Sequence, residues 1–276
     1  MSKFLQFESI GGASGDMILG ALIGLGVSVD ELNEELKGLH IDPFEIIIDP
    51  VVEQGMSGIR ARVVVEEKDD YHGRHLSTII ELINRSNFHE QVKKEAIEVF
   101  QIIGEAEASI HGVDIEKIHF HEVGAMDSIV DILGCCLAKY KLGIEEVGIR
   151  SLPYGHGTIE CAHGTYPNPA PATMQILEKF PVESVDEPFE LVTPTGAALL
   201  KTWCIKSIPS AQISSLITSY SFGHRTLSSR PNLLRATLYQ KNDDTTPSHC
   251  EMIECNLDDT TPELIGILTE KLFDAG

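Results

Sequence analysis

Tryptophan occurs once among the 276 residues and aromatics make up only 6% of them, so the core has to be built mainly from aliphatic side chains. Basic residues are scarce as well: 21 Lys and Arg face 42 Asp and Glu, a formal net charge of -21. Such a field repels a nucleic-acid backbone or an anionic membrane unless basic residues cluster. Arg225, Arg230 and Arg235 are spread over a loop and a strand, which excludes nucleic acid and membrane from the expected partners. The same field favours divalent cations. No apolar run approaches the length of a membrane span, and the opening "MSKFLQFESIGG" lacks a charged segment followed by a long apolar one. A cytoplasmic protein is expected. None of the six cysteines forms a CxxC pair, and Cys135 and Cys136 are adjacent inside a helical pattern, so reduced, mostly buried thiols are expected rather than a zinc ribbon. There is no Walker A loop, no GxGxxG fingerprint and no internal repeat.

What is present is 42% hydrophobic residues, enough for one large core or two modest ones. "KFLQFESI" alternates as a strand, "GGASGD" turns, and "MILGALIGLG" suits a buried helix. "SVDELNEELKGL" opens with a capping box of Ser28 and Glu31. "FEIIIDPVVEQ" and "SGIRARVVVEE" predict two antiparallel strands around "GMSG", followed by an exposed loop at "EKDDYHGRH". Two scaffold helices follow, the second with Ile97, Phe100, Ile103 and Ala106 on one side. "EKIHFHEVG" is a short strand or extended entry to the helix "AMDSIVDILGCCLAKYKLG", and "EEVGIRSL" is a strand. A long Gly/Pro loop from Pro153 to Pro171 leads to helices at "ATMQILEKF" and "TPTGAALLKTWC", and two strands flank "GHRTLSSRP". The pattern predicts a mixed α/β protein with a large domain over residues 1–240. The polar stretch "KNDDTTPSH", 241–249, has the composition of a linker. Residues 250–276 then restart with a strand, an acidic turn and a helix, the expected beginning of an incomplete C-terminal domain.

Three stretches carry candidate chemistry. In "GGASGDM" the backbone N–H groups of Ala13, Ser14 and Gly15 at a helix N-terminus suit a phosphate or carboxylate; the alternative is a tight turn with Asp16 as a first-turn charge. "VTPTGAALL" offers a second N-terminus with Thr193, Thr195 and Gly196, or simply a capped helix. In "IHFHEVGAMDSIVDI", His119 and His121 share a strand face and Asp127 and Asp131 share a helix face. Imidazoles and carboxylates of this kind suit a borderline divalent metal, with packing and solvation as the bland alternative. The ligand candidates are His119, His121, Glu122 and Asp127, joined by His156 and His163 from the loop "GHGTIECAHGTYPNPAPAT", which also holds Cys161. No residue is assigned as catalytic.

The ordered set "GGASGDMILGAL", "IHFHEVGAMDSIVDI", "HGTYPNPAPATMQIL", "LVTPTGAALL", "GHRTLSSRPNLLR" and "NLDDTTPELIG" resembles the nickel-insertion proteins of the lactate racemase cofactor pathway, over nearly the whole chain. The resemblance implies a nickel chelatase, a lyase-class enzyme that inserts Ni2+ into pyridinium-3,5-bisthiocarboxylic acid mononucleotide to form the nickel-pincer nucleotide, with lactate racemase as recipient. It also implies dependence on CTP with a divalent metal, held in a C-terminal domain of which this chain carries only the first strand and helix. A separately made C-terminal polypeptide, or a longer read-through product, is then expected as a partner. The rival readings are a nickel carrier that does no chemistry and, ranked lower, a metal-dependent phosphoester hydrolase. One departure is Glu8, where the family's first strand ends in an aspartate-containing segment.

Overall fold

In the computed structural model the residues described are 2–39, 41–65, 74–120, 124–161, 164–204, 213–241, 258 and 260–275. Strand β1 (Lys3–Ser9) passes through the "GGASG" turn into helix α1 (Gly15–Gly24). Helix α2 (Val29–Leu36) starts at Ser28, whose Oγ accepts a hydrogen bond from the Glu31 N–H at 3.3 Å. A cap of this kind contributes about 1 kcal/mol. Strands β2 (Phe44–Glu53) and β3 (Met56–Val65) form an antiparallel hairpin with Glu53 opposite Met56. Its turn is therefore Gln54-Gly55, with φ of 49° and 81°, and not "GMSG". A two-residue turn with both φ positive matches the strand twist, and Gly55 makes it accessible.

The expected loop "EKDDYHGRH" lies mostly outside the described residues, but its end, Arg74–His75, is strand β4. Helices α3 (Leu76–Arg85) and α4 (Glu90–His111) follow, and β5 (His119–Phe120) pairs antiparallel with β4. Helix α5 (Met126–Lys141) leads into β6 (Ile144–Ile149). The Gly/Pro segment expected as loop instead contains β7 (Leu152–Tyr154) and the hairpin of β8 (Thr158–Cys161) and β9 (Gly164–Pro167). Prolines are tolerated in such short edge strands because no second neighbour needs their missing N–H. Helix α6 (Pro171–Ile176) is shorter than "ATMQILEKF", and β10 (Val182–Ser184) runs parallel to β7. Helix α7 (Pro194–Trp203), β11 (Ile213–Phe222) and β12 (Leu233–Lys241) complete this part of the chain.

The main sheet has the order β2-β3-β11-β12-β1-β6. β1 is antiparallel to β12 and parallel to β6. Along β1, Leu5 and Phe7 face the helices and join the core, while Phe4, Gln6 and Glu8 alternate to the other side. There Glu8 accepts a hydrogen bond from Arg235 Nε at 2.7 Å. α1 is packed against the sheet and α5, which explains why its sequence is apolar on nearly every side. α4 lies against α5, α6 and α7, and its Val92, Val99, Phe100 and Ile103 are buried in the core. Replacing fully buried Ile18 of α1 by alanine would cost about 2–5 kcal/mol.

The chain divides into two units, Met1–Asn242 and Asp243–Gly276. In the second, the strand expected over "CEMIEC" lies outside the described residues, and the expected helix is α8 (Pro262–Ala275). Among the described residues no helix is long and apolar enough to cross a membrane.

Candidate functional site

The two glycine-containing turns, far apart in sequence, meet in the fold. Ala13 bridges Val192 in parallel register: its N–H donates to Leu191 O at 2.9 Å and its carbonyl accepts from the Thr193 N–H at 3.1 Å. The N-termini of α1 and α7 thus lie side by side beyond the carboxyl end of β1, where ligands of α/β sheets commonly bind. The contact depends on two absent side chains. A Cβ on Gly196 would sit 2.2 Å from Ala13 O, and one on Gly15 would sit 2.7 Å from Asp131 Oδ2 and 3.0 Å from Thr195 Cγ2.

The two N-termini differ in what they offer. Thr193 Oγ1 accepts from the Gly196 N–H at 3.2 Å, so α7 is capped by its own side chain. Ser14 makes no such cap to α1; its hydroxyl donates to Asp16 Oδ1 instead. Since the first N–H groups of a helix have no partner within it, α1 keeps donors for an anion. The Ala13 N–H, spent on Leu191, is not one of them.

Packed beside Gly15 is Asp131 of α5. The residue is half-buried, and its Oδ1 is shut off from solvent with no hydrogen-bond partner among the described residues. Burial first, then the charges of Asp16 and Asp127, push its carboxyl well above the usual carboxylate range. Asp16 lies 3.4 Å from His224 Nε2, which is also 3.1 Å from Ala61 O. Because a carbonyl only accepts, Nε2 carries the proton. Asp127 is exposed in the first turn of α5, where its Oδ1 accepts from the Ser128 N–H at 2.7 Å. Cys135, one turn beyond Asp131, is buried and directs Sγ at Gly15 O at 3.5 Å; burial pushes its thiol up, which disfavours a nucleophilic thiolate.

The loop carrying His224 is tied down by Glu187. This buried carboxylate accepts from the Ser228 N–H and Oγ at 3.1 and 3.0 Å, and from the Ser229 N–H and Oγ at 2.8 and 2.7 Å. Burial alone would raise its pKa, but the four donors outweigh burial and bring it down to about 2. The Arg225 guanidinium stacks 4.8 Å from the centre of the Phe189 ring, and Asn232 Nδ2 donates to Arg225 O at 2.9 Å.

The other candidates are placed less centrally. His119 is exposed in β5 opposite His75. His156 is exposed, with Nε2 2.9 Å from Asp186 Oδ1. His121, Glu122 and His163 lie outside the described residues. Among the described residues no three His, Cys, Asp or Glu side chains form a group suited to a metal. Sequence reasoning set Asp131 on the face of Asp127 without taking it into the ligand set, although the i, i+4 spacing was the available signal. It had no means of finding His224, a lone histidine in a polar loop.

The sequence profile of a family described as "Nickel insertion protein" matches residues 5–276. A Staphylococcus saprophyticus protein named pyridinium-3,5-bisthiocarboxylic acid mononucleotide nickel insertion protein is 40% identical over 276 residues, covering 100% of this chain and 70% of its own length. A protein of the same name from Geobacillus kaustophilus is 40% identical over 293 residues, covering 99% of this chain and 71% of its own. A putative nickel insertion protein from Geobacter sp. (strain M21) is 38% identical over 274 residues, with 99% and 71% covered. No solved structure matches the chain.

Proposed function

The chain belongs to the nickel insertion protein family, and on that premise we propose that it inserts nickel into pyridinium-3,5-bisthiocarboxylic acid mononucleotide, as the names of its relatives say of them. The observation that carries the assignment to a site is the junction of α1 and α7 with Asp131 against it. The uncapped first turn of α1, at Ser14 and Gly15, holds the phosphate of the mononucleotide, with Thr193, Thr195 and Gly196 forming the adjoining wall. Asp16 and Asp127, whose charges already act on Asp131, favour the incoming Ni2+ beside it.

Thiocarboxylates at ring positions 3 and 5 flank the carbon between them, so nickel bound by both sulfurs would lie beside that carbon in the ring plane, in line with its C–H bond. Forming the nickel–carbon bond replaces a C–H bond and releases one proton. Asp131 is the acceptor: a nearby dication lowers its pKa and frees the carboxylate, and removal of the metal's charge into the product restores its affinity for the proton. His119, with His121, Glu122, His156 and His163, belongs to nickel delivery.

We assign residues 1–240 to metal and substrate handling, 241–249 to a linker, and 250–276 to a C-terminal unit that acts with CTP and a divalent metal. The reaction takes place in the cytoplasm, and lactate racemase receives the product. The test is to incubate the chain with nickel, CTP and substrate, with and without an added domain made from the part of the Staphylococcus saprophyticus relative that the match leaves out, and to follow the nickel-pincer nucleotide by mass. Formation in the mixture that contains the domain is expected; formation by neither mixture overturns the reading.

A further inference from the structure

The strand pair β4 and β5 is only two residues long on each side, yet both residues of β4 are pinned. Arg74 Nη1 donates to Gly124 O at 2.8 Å, and His75 Nδ1 lies 3.2 Å from Ile118 O. Since that carbonyl can only accept, His75 Nδ1 carries the proton and Nε2 keeps its lone pair, the arrangement by which a backbone carbonyl orients a metal-ligating imidazole. His119 stands directly opposite His75 in the ladder, with ring centroids 3.6 Å apart and the planes tilted by 47°. His119 is exposed and His75 half-exposed, so both rings are reachable from solvent.

From this geometry we infer that His75 and His119 form a two-imidazole docking site for the nickel ion before insertion. The inference rests on the nickel-insertion reading and adds to it a residue, His75, that the sequence motifs left unassigned. Imidazole nitrogen is a good ligand for nickel. The two rings are the protein's whole contribution among the described residues, because no third His, Cys, Asp or Glu joins them there. Two imidazoles by themselves fill only part of the ion's coordination shell, so an ion docked on them can still exchange onto sulfur. A closed site with four protein ligands would retain it.

The test is to titrate nickel chloride into the full 276-residue chain, calorimetrically and while recording the imidazole resonances by NMR. In the wild-type chain the His75 and His119 ring signals should broaden first, at substoichiometric paramagnetic Ni2+. His75→Ala and His119→Ala should each weaken this binding roughly tenfold, and the double variant should fall little further, because one ring alone is already a poor site. Melts without metal check folding; if His75→Ala is unfolded, exposed His119 still provides a variant. Unchanged affinity in folded His119→Ala, or sharp His75 and His119 signals while others broaden, overturns the docking site. The two readings fail separately. If the wild-type chain and added domain make cofactor with the same nickel requirement as His119→Ala, docking is wrong and insertion stands; if no cofactor forms, insertion is wrong, while the titration still decides the nickel site.

Discussion

Asp131 and Glu187 both place carboxyl oxygens out of reach of water, yet Glu187 is met by four donors from Ser228 and Ser229 while Asp131 keeps an oxygen with no partner among the described residues. The pKa directions follow: Glu187 is brought down to about 2 and Asp131 is driven up. A satisfied buried carboxylate is part of the framework; an unsatisfied one is a cost the fold bears alone. Glue and site are thus distinguished within one unit. Glu187 fixes the loop from which His224 reaches Asp16, and Asp131 waits beside the open first turn of α1.

The comparison breaks most severely if the junction itself is opened. Gly196→Val places side-chain atoms where Ala13 O already lies, and backbone cannot yield as a flexible side chain would. Overpacking of this kind costs about 1–3 kcal/mol. Substrate affinity should fall more than the fold does, by on the order of 100-fold in calorimetry if the mononucleotide spans both N-termini at about 3 kcal/mol. Affinity unchanged in a folded variant would remove the junction from the substrate site.

Glu187→Gln sharpens the other side. The amide presents donors to the donors of Ser228 and Ser229, leaving buried groups unsatisfied at a cost of roughly 1–3 kcal/mol at neutral pH. The sign with pH is fixed. A folded pKa of about 2 against an ordinary 4.5 gives stability that is full above 4.5 and is lost as pH falls through about 2. Denaturant melts of wild type and variant should therefore converge as pH drops across that window. A gap that stays constant would mean that the four donors do not act through the carboxylate's charge.

How far the sequence foretold this contrast depends on the distance over which each feature is determined. The β1-turn-α1 unit, the Ser28 cap, α5 and the entry to α7 are local: apolar period, cap residues and glycine turns specify them in the chain itself. The junction is not local. "GGASGD" and "TPTG" each read as an isolated N-terminus, and only the bridge between Ala13 and Val192 makes them one place. The ladder of β4 and β5 has two residues per strand, too few for any periodicity, so His75 carried no signal of its position opposite His119. Asp131 was visible as a polar interruption in an apolar helix, but its lack of a partner is a property of packing.

Asp131→Asn should disturb the fold least and tests the central claim most directly. With a folded pKa raised above the ordinary value of 3.8, Asp131 contributes stability at low pH that is lost as pH rises through the folded pKa. At neutral pH, then, the neutral isostere relieves the ligand-free protein of a penalty. The measurement is cofactor formed per folded chain, with the added domain, nickel, CTP and substrate, alongside a ligand-free melt. The expected result is a melting temperature equal to or above wild type with formation reduced on the order of 100-fold, a loss of about 3 kcal/mol of transition-state stabilisation. A melting temperature that falls while formation per folded chain is retained would make Asp131 another Glu187, a residue of the framework and not the proton acceptor.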